Sequence, residues 1–162
     1  MSKGKLELKK SVLFVCAANQ CRSPMAMVLF KDMAAKEGEK LEDWRIESAG
    51  IWAVTGYTAT NFANLVMSEM GLDLYDHRSQ PVTESLLDEF NLILCMENDQ
   101  VKFIKRNFPK AKDRIFLLSE MAEQDQDIWD PAGHSLAAYK NTANEILELL
   151  EKGFSKILQF SK

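Results

Sequence analysis

Long apolar runs are missing from this chain. The longest near the N-terminus, Val12 to Cys16, has the length of a strand and falls far short of the eighteen or more residues that a membrane span needs. Met1 to Lys10 is polar and lysine-rich without the apolar stretch of a signal peptide, so the protein is expected to be cytoplasmic and to bind no membrane. Cysteine is scarce: Cys16, Cys21 and Cys95 cannot pair off completely and are too few for a disulfide scaffold or a four-cysteine zinc site. The two histidines, His77 and His134, have no further cysteine or histidine at ligand spacing, so no metal site is expected. An excess of basic charge is also lacking. Lys and Arg number 20 against 24 Asp and Glu, a net charge of −4, which gives no bulk electrostatic drive toward nucleic acid. There is no internal repeat and no linker.

What remains is one domain's worth of chain: 162 residues with 46% hydrophobic and 9% aromatic, enough for a sizeable core. Apolar runs predict strands at Ser11 to Cys16, Trp44 to Ala49, Phe90 to Met96 and Arg114 to Leu118. Helical periods fall between them, over Met25 to Lys36, Thr60 to Met70 and about Asn98 to Asn107, with a short helix after Thr83. A last helix is expected from Leu136 to Glu151, with Gly153 separating it from a tail. Such alternation predicts an α/β fold with a parallel sheet covered on both faces. Ligands bind such sheets at the C-terminal ends of the strands, which points to the loop after the first strand.

That loop reads Cys16-Ala17-Ala18-Asn19-Gln20-Cys21-Arg22-Ser23-Pro24. A tight turn from strand to helix aims successive backbone N–H groups inward at the positive end of the helix dipole, a nest for an oxyanion. Arg22 adds a planar fork that grips two phosphate oxygens. The same dipoles and charge favour thiolate at Cys16, which then attacks phosphorus. A cysteine at a strand end is more often an inert apolar residue; the arginine at this spacing and the Ser-Pro helix start argue for chemistry. The loop lacks the glycines and the Lys-Ser/Thr ending of a nucleotide-binding loop.

CAANQCRS, with SVLFVC before it and SPMA after it, resembles the C-x-G-N-x-C-R-S signature of the low-molecular-weight protein tyrosine phosphatases. WRIESAG, DHRSQ, LILCM and a late WDP follow in the family's order, so the resemblance runs from Ser11 to about Leu150. It implies a three-layer single domain over residues 1–162, with a four-stranded parallel sheet flanked by helices and with 1–10 and 153–162 as terminal extensions. It also implies a phosphatase acting on protein phosphotyrosine or small aryl phosphates through a cysteinyl phosphate, with no metal or organic cofactor. On this resemblance Asp130, before Pro131, is the general acid and later the base. Asn19, Ser23, Ser48 and His77 hold the phosphate loop, and Ser23 stabilises the leaving thiolate. Cys21 is positioned for a reversible disulfide with Cys16, while packing under the loop is an equal alternative; Cys95 is expected in the core.

Five positions depart from the pattern. Ala18 replaces a glycine, and were positive φ required there its Cβ would cost about 1 kcal/mol. Gln20 stands where tyrosine phosphatases usually carry an aliphatic residue and protein-arginine phosphatases a threonine. Ala132 and Gly133 replace the pocket aromatics, leaving Trp52 and Trp129 as candidate substrate walls. Gln80 replaces an arginine. The alternatives on the same fold are an arsenate reductase, which would need a late cysteine pair, a protein-arginine phosphatase, and a non-catalytic oxyanion or phosphoprotein sensor. The acidic stretch Glu120 to Asp130 beside the expected site favours basic peptides.

Overall fold

The first strand has apolar side chains at every position from Val12 to Cys16, a pattern that suits only a strand covered on both faces. In the computed structural model, which describes residues 10–162, Val12, Phe14 and Cys16 of strand β1 (Lys10–Cys16) turn into one buried cluster, and Leu13 and Val15 into the other. Residues 1–9 of the expected N-terminal extension lie outside the described residues. The chain continues through α1 (Arg22–Lys36), β2 (Trp44–Gly50), α2 (Asn61–Glu69), the short α3 (Glu84–Leu87), β3 (Leu92–Cys95), α4 (Asn98–Asn107), β4 (Ile115–Leu117) and α5 (Leu136–Phe160). All four strands are parallel, in the order β2-β1-β3-β4.

The two layers follow from the alternation. Residues of α1, α2 and α5 share the first cluster, including Phe30, Met67 and Ile146, while Leu87 of α3 and Ile104 of α4 belong to the second. Because β1 is flanked by β2 on one side and β3 on the other, the chain reverses its winding between β1 and β3. The connections that leave their C-terminal ends run to opposite faces of the sheet, and the crevice lies between them. Thr60 and Thr83 cap α2 and α3 through their hydroxyl oxygens, as the sequence leads one to expect.

One boundary differs from expectation. Gly153 does not end the last helix: α5 continues to Phe160, so residues 153–160 are not an extension beyond it. Glycine is there for closeness, not for a turn. A Cβ built on Gly153 would lie 2.7 Å from the Met121 Cβ and 2.9 Å from the Met121 carbonyl carbon, so this turn of α5 packs directly on the 3₁₀ segment Leu118–Ala122. Beyond it Ile157 is fully buried, and the Ser161 carbonyl accepts from Ser11 N at 2.9 Å and Asn91 Nδ2 at 3.0 Å. The helix end thereby closes over the start of β1.

Gly153→Val is expected to lower unfolding free energy by about 1–3 kcal/mol through overpacking, read as a lower urea midpoint at unchanged slope.

Candidate active site

The loop from Cys16 to Arg22 turns through Asn19, whose φ of 59° is in the left-handed region. Asparagine tolerates that conformation because its side chain makes local hydrogen bonds. Here those bonds are the hub of the loop. Asn19 Nδ2 donates to Ser23 Oγ at 2.8 Å and to Ser48 Oγ at 2.9 Å, and Asn19 Oδ1 accepts from Gln80 N at 3.0 Å. His77 Nε2 lies 2.7 Å from the Asn19 carbonyl, which can only accept, so Nε2 carries the proton. All four expected supporting residues therefore meet at one point. Ala18, in contrast, has no positive φ and is exposed, so its Cβ carries none of the backbone cost raised by the departure from glycine.

Cys16 Sγ stands 3.0 Å from Ser23 Oγ. Ser23 Oγ accepts from Asn19, and its own proton has two acceptors in reach, the Ala49 carbonyl at 3.4 Å and the nearer sulfur, where it stabilises a thiolate. Arg22 opens α1, whose first turn has no acidic residue and whose N-cap, Cys21, makes no side-chain cap; the helix amides are left open to an anion. The Arg22 side chain is 1% exposed. Its Nη1 donates to the Ile128 carbonyl at 2.8 Å and lies 3.0 Å from Glu97 Oε1, and its Nη2 is 3.4 Å from Asp130 Oδ2. Arg22 Nε is buried and has no hydrogen-bond partner among the described residues. Burial by itself would lower the Arg22 pKa, but the facing Cys16, Asp130 and Glu97 outweigh it and hold the guanidinium firmly charged.

Asp130 comes to the same place from the segment before α5, and its Oδ1 accepts from Ala132 N at 3.0 Å. Cys21 Sγ lies 3.7 Å from that oxygen. Burial, reinforced by negative charge on Cys16 and Asp130, pushes the Cys21 thiol up, so it stays protonated and is not a second nucleophile. Cys16, Ala18, Gln20, Cys21, Arg22, Thr60, Asp130 and Ala132 line a cavity of about 80 Å³. Trp52 and Trp129 do not line it: they are 72% and 54% exposed, and Trp129 packs against His134 at 4.5 Å between ring centroids. Trp52 is nonetheless tied to the loop, its backbone N–H donating to the Ala17 carbonyl at 2.9 Å. Cys95 is buried in β3, as expected.

Residues 11–160 match the family model described as low molecular weight phosphotyrosine protein phosphatase. The chain belongs to this family. Among its relatives, the protein-arginine-phosphatase of Bacillus subtilis is 37% identical over 87% of this chain and 92% of its own length. The probable low molecular weight protein-tyrosine-phosphatase EpsP of Ralstonia nicotianae is also 37% identical, over 89% and 90%. A solved low molecular weight protein tyrosine phosphatase from T. tengcongensis superposes with a TM-score of 0.85 at 36% identity, covering 91% of this chain and 99% of its own. Membership extends to residue 160, past the limit near Leu150 read from the motifs, in keeping with the unbroken α5. No helix among the described residues is long and apolar enough to cross a membrane.

Sequence reasoning missed Gly50 and Glu97. A Cβ on Gly50 would sit 2.5 Å from the Ala17 carbonyl oxygen and 2.9 Å from Asn19 N, so the phosphate loop rests on bare backbone at the end of β2. Glu97 follows β3, at the other side of the crevice. The rule that pointed to the end of β1 would have found it if applied to β3 as well.

Gly50→Ala is expected to leave the protein folded while lowering kcat/KM for an aryl phosphate on the order of 10- to 100-fold, because the loop must shift off the added methyl. Steady-state kinetics checks this. His77 gives a pH signature. Burial depresses its pKa below the ordinary 6.5, assisted by the Arg78 charge and opposed by the bond to Asn19. The unfolded chain then takes up the proton first as pH falls below 6.5, so this contribution to stability is present above that pH and is lost on acidification through the folded pKa. The thermal midpoint should decline between pH 6.5 and 5 in wild type, and less steeply in His77→Gln.

Proposed function

We propose that the protein hydrolyses phosphotyrosine in proteins, and small aryl phosphates, through a cysteinyl phosphate at Cys16. The observation that carries this reading is the arrangement in the small cavity: a sulfur beneath the loop, a buried guanidinium nitrogen without a protein partner, and a carboxyl group on the opposite wall. Arg22 Nε and the loop amides bind the phosphoryl oxygens. Cys16 Sγ attacks phosphorus in line as the bond from phosphorus to the aryl oxygen breaks, and Asp130 gives that oxygen its proton. Asp130 then takes a proton from water, whose oxygen attacks phosphorus and displaces Cys16 Sγ; Ser23 Oγ–H meets the returning thiolate. Gln20 lines the cavity while its side chain is tethered, Nε2 donating to the Thr58 carbonyl at 3.1 Å. The aryl ring lies outside the 80 Å³ cavity, beside this loop and the exposed Trp52 and Trp129. A reducing cytoplasm keeps Cys16 in its active form, and inorganic phosphate, as product, competes for the same loop.

The alternatives have less support. An arsenate reductase needs a relay of cysteines, and Cys95 is a single thiol, fully buried and pushed up by that burial. A sensor has no use for a leaving-group acid.

In reductant and without added metal, wild type should turn over a generic aryl phosphate between pH 5 and 8. Cys16→Ser should abolish turnover while phosphate still binds, and Asp130→Asn should lower kcat about 10²- to 10⁴-fold. Turnover persisting in Cys16→Ser would sink the mechanism. A phosphoarginine peptide cleaved faster than a phosphotyrosine peptide would move the substrate assignment to the arginine phosphatases.

A further inference from the structure

The orientation of Arg22 is not fixed by the phosphate loop. Its Nη1 is engaged by the Ile128 carbonyl and Glu97, while Nε has no partner among the described residues. Both partners of Nη1 depend on the end of β3. Ile128 N donates to the Met96 carbonyl at 2.9 Å, and Glu97 follows Met96 directly. One side chain from α4 holds that turn. Gln100 is 2% exposed, and its Oε1 accepts from Met96 N and from Glu97 N, each at 3.0 Å. Its Nε2 donates to Glu97 Oε1 at 2.9 Å, the same oxygen that faces Arg22.

A buried amide satisfied at both ends by one turn fixes that turn in a single geometry. Glu97 needs it. Its side chain is 35% exposed, and without a donor behind it the carboxylate has water as a competing partner. Arg22 Nη1 would then lose its one charged partner and keep only the Ile128 carbonyl.

We propose that Gln100 is a positioning residue for oxyanion binding: by holding Glu97 and the Met96 turn, it sets the angle at which Arg22 presents Nε and Nη2 to a phosphoryl group. This rests on the phosphatase reading above. Gln100 itself does not line the cavity and touches no substrate atom.

The test is competitive inhibition by inorganic phosphate, with aryl phosphate turnover measured alongside. Gln100→Glu keeps an acceptor for the two backbone amides and replaces the donor to Glu97 with a like charge. At pH 7.5 it should weaken phosphate inhibition and raise KM by about tenfold, with a smaller loss in kcat. At pH 5.5 a proton shared between Glu97 and the new carboxyl restores the donor, and the ratio to wild type should fall toward one. The pair Glu97→Gln with Gln100→Glu exchanges charge and amide. It should recover phosphate inhibition relative to Gln100→Glu alone, and it supplies the measurement if the single variant does not fold. Phosphate inhibition equal to wild type at both pH values, or a loss independent of pH and not recovered in the double variant, would overturn the positioning role. Either result leaves the phosphatase reading intact, because that reading stands on wild-type turnover and its loss in Cys16→Ser.

Discussion

A charged guanidinium almost wholly out of water is the constraint on which the rest of this structure depends. Burying such a group without partners costs several kcal/mol, so Arg22 must be matched on every side. The protein brings its partners from three remote points in sequence: Glu97 after β3, the Ile128 carbonyl, and Asp130 before α5. The one unmatched group is Nε, buried without a hydrogen-bond partner among the described residues, on a side chain that lines the cavity together with Cys16. On the proposed function, a bound oxyanion completes the match.

The loop itself is held by a second, neutral network. Asn19 in a left-handed conformation ties together Ser23, Ser48, Gln80 and His77, each from a different segment. Gln80, where the family pattern leads one to expect arginine, supports the loop through its backbone N–H, and its side chain donates to the Ser48 carbonyl at 3.0 Å and to Glu47 at 3.2 Å. The missing charge at this position is therefore replaced by hydrogen bonds to the same wall. Gly50 completes the support by letting β2 come within contact of the loop backbone. Preorganisation of this kind keeps the amides aimed before substrate arrives.

The layered order of strands and helices was legible in the sequence because β1 and β3 are apolar on both faces, which only a doubly covered parallel sheet accommodates. Cys16, Arg22 and Asp130 were legible too, the first two through their spacing and the strand-loop-helix context, Asp130 only through the family pattern. Gly153 misled because a glycine in a helical pattern signals either a terminus or a close approach, and only the position of Met121 distinguishes them. Ala18 misled in the opposite sense. The strained residue of the loop is its neighbour Asn19, and which of two adjacent residues takes positive φ is decided by the partners available to the side chain.

By itself the sequence determined the sheet, the turn after β1 that carries Cys16 and Arg22, and the chemical class, since each depends on residues adjacent in the chain or on a local period. The tertiary structure alone decided what surrounds Arg22, how small the cavity is, and that Glu97, Gln100 and Gly50 belong to the site. The contact of Arg22 with Ile128 alone joins residues 106 positions apart, and no local pattern encodes a partner that distance away. Trp52 and Trp129 are a further case: their places in the family pattern offered them as walls, and only the fold shows that both stand at the surface outside the cavity.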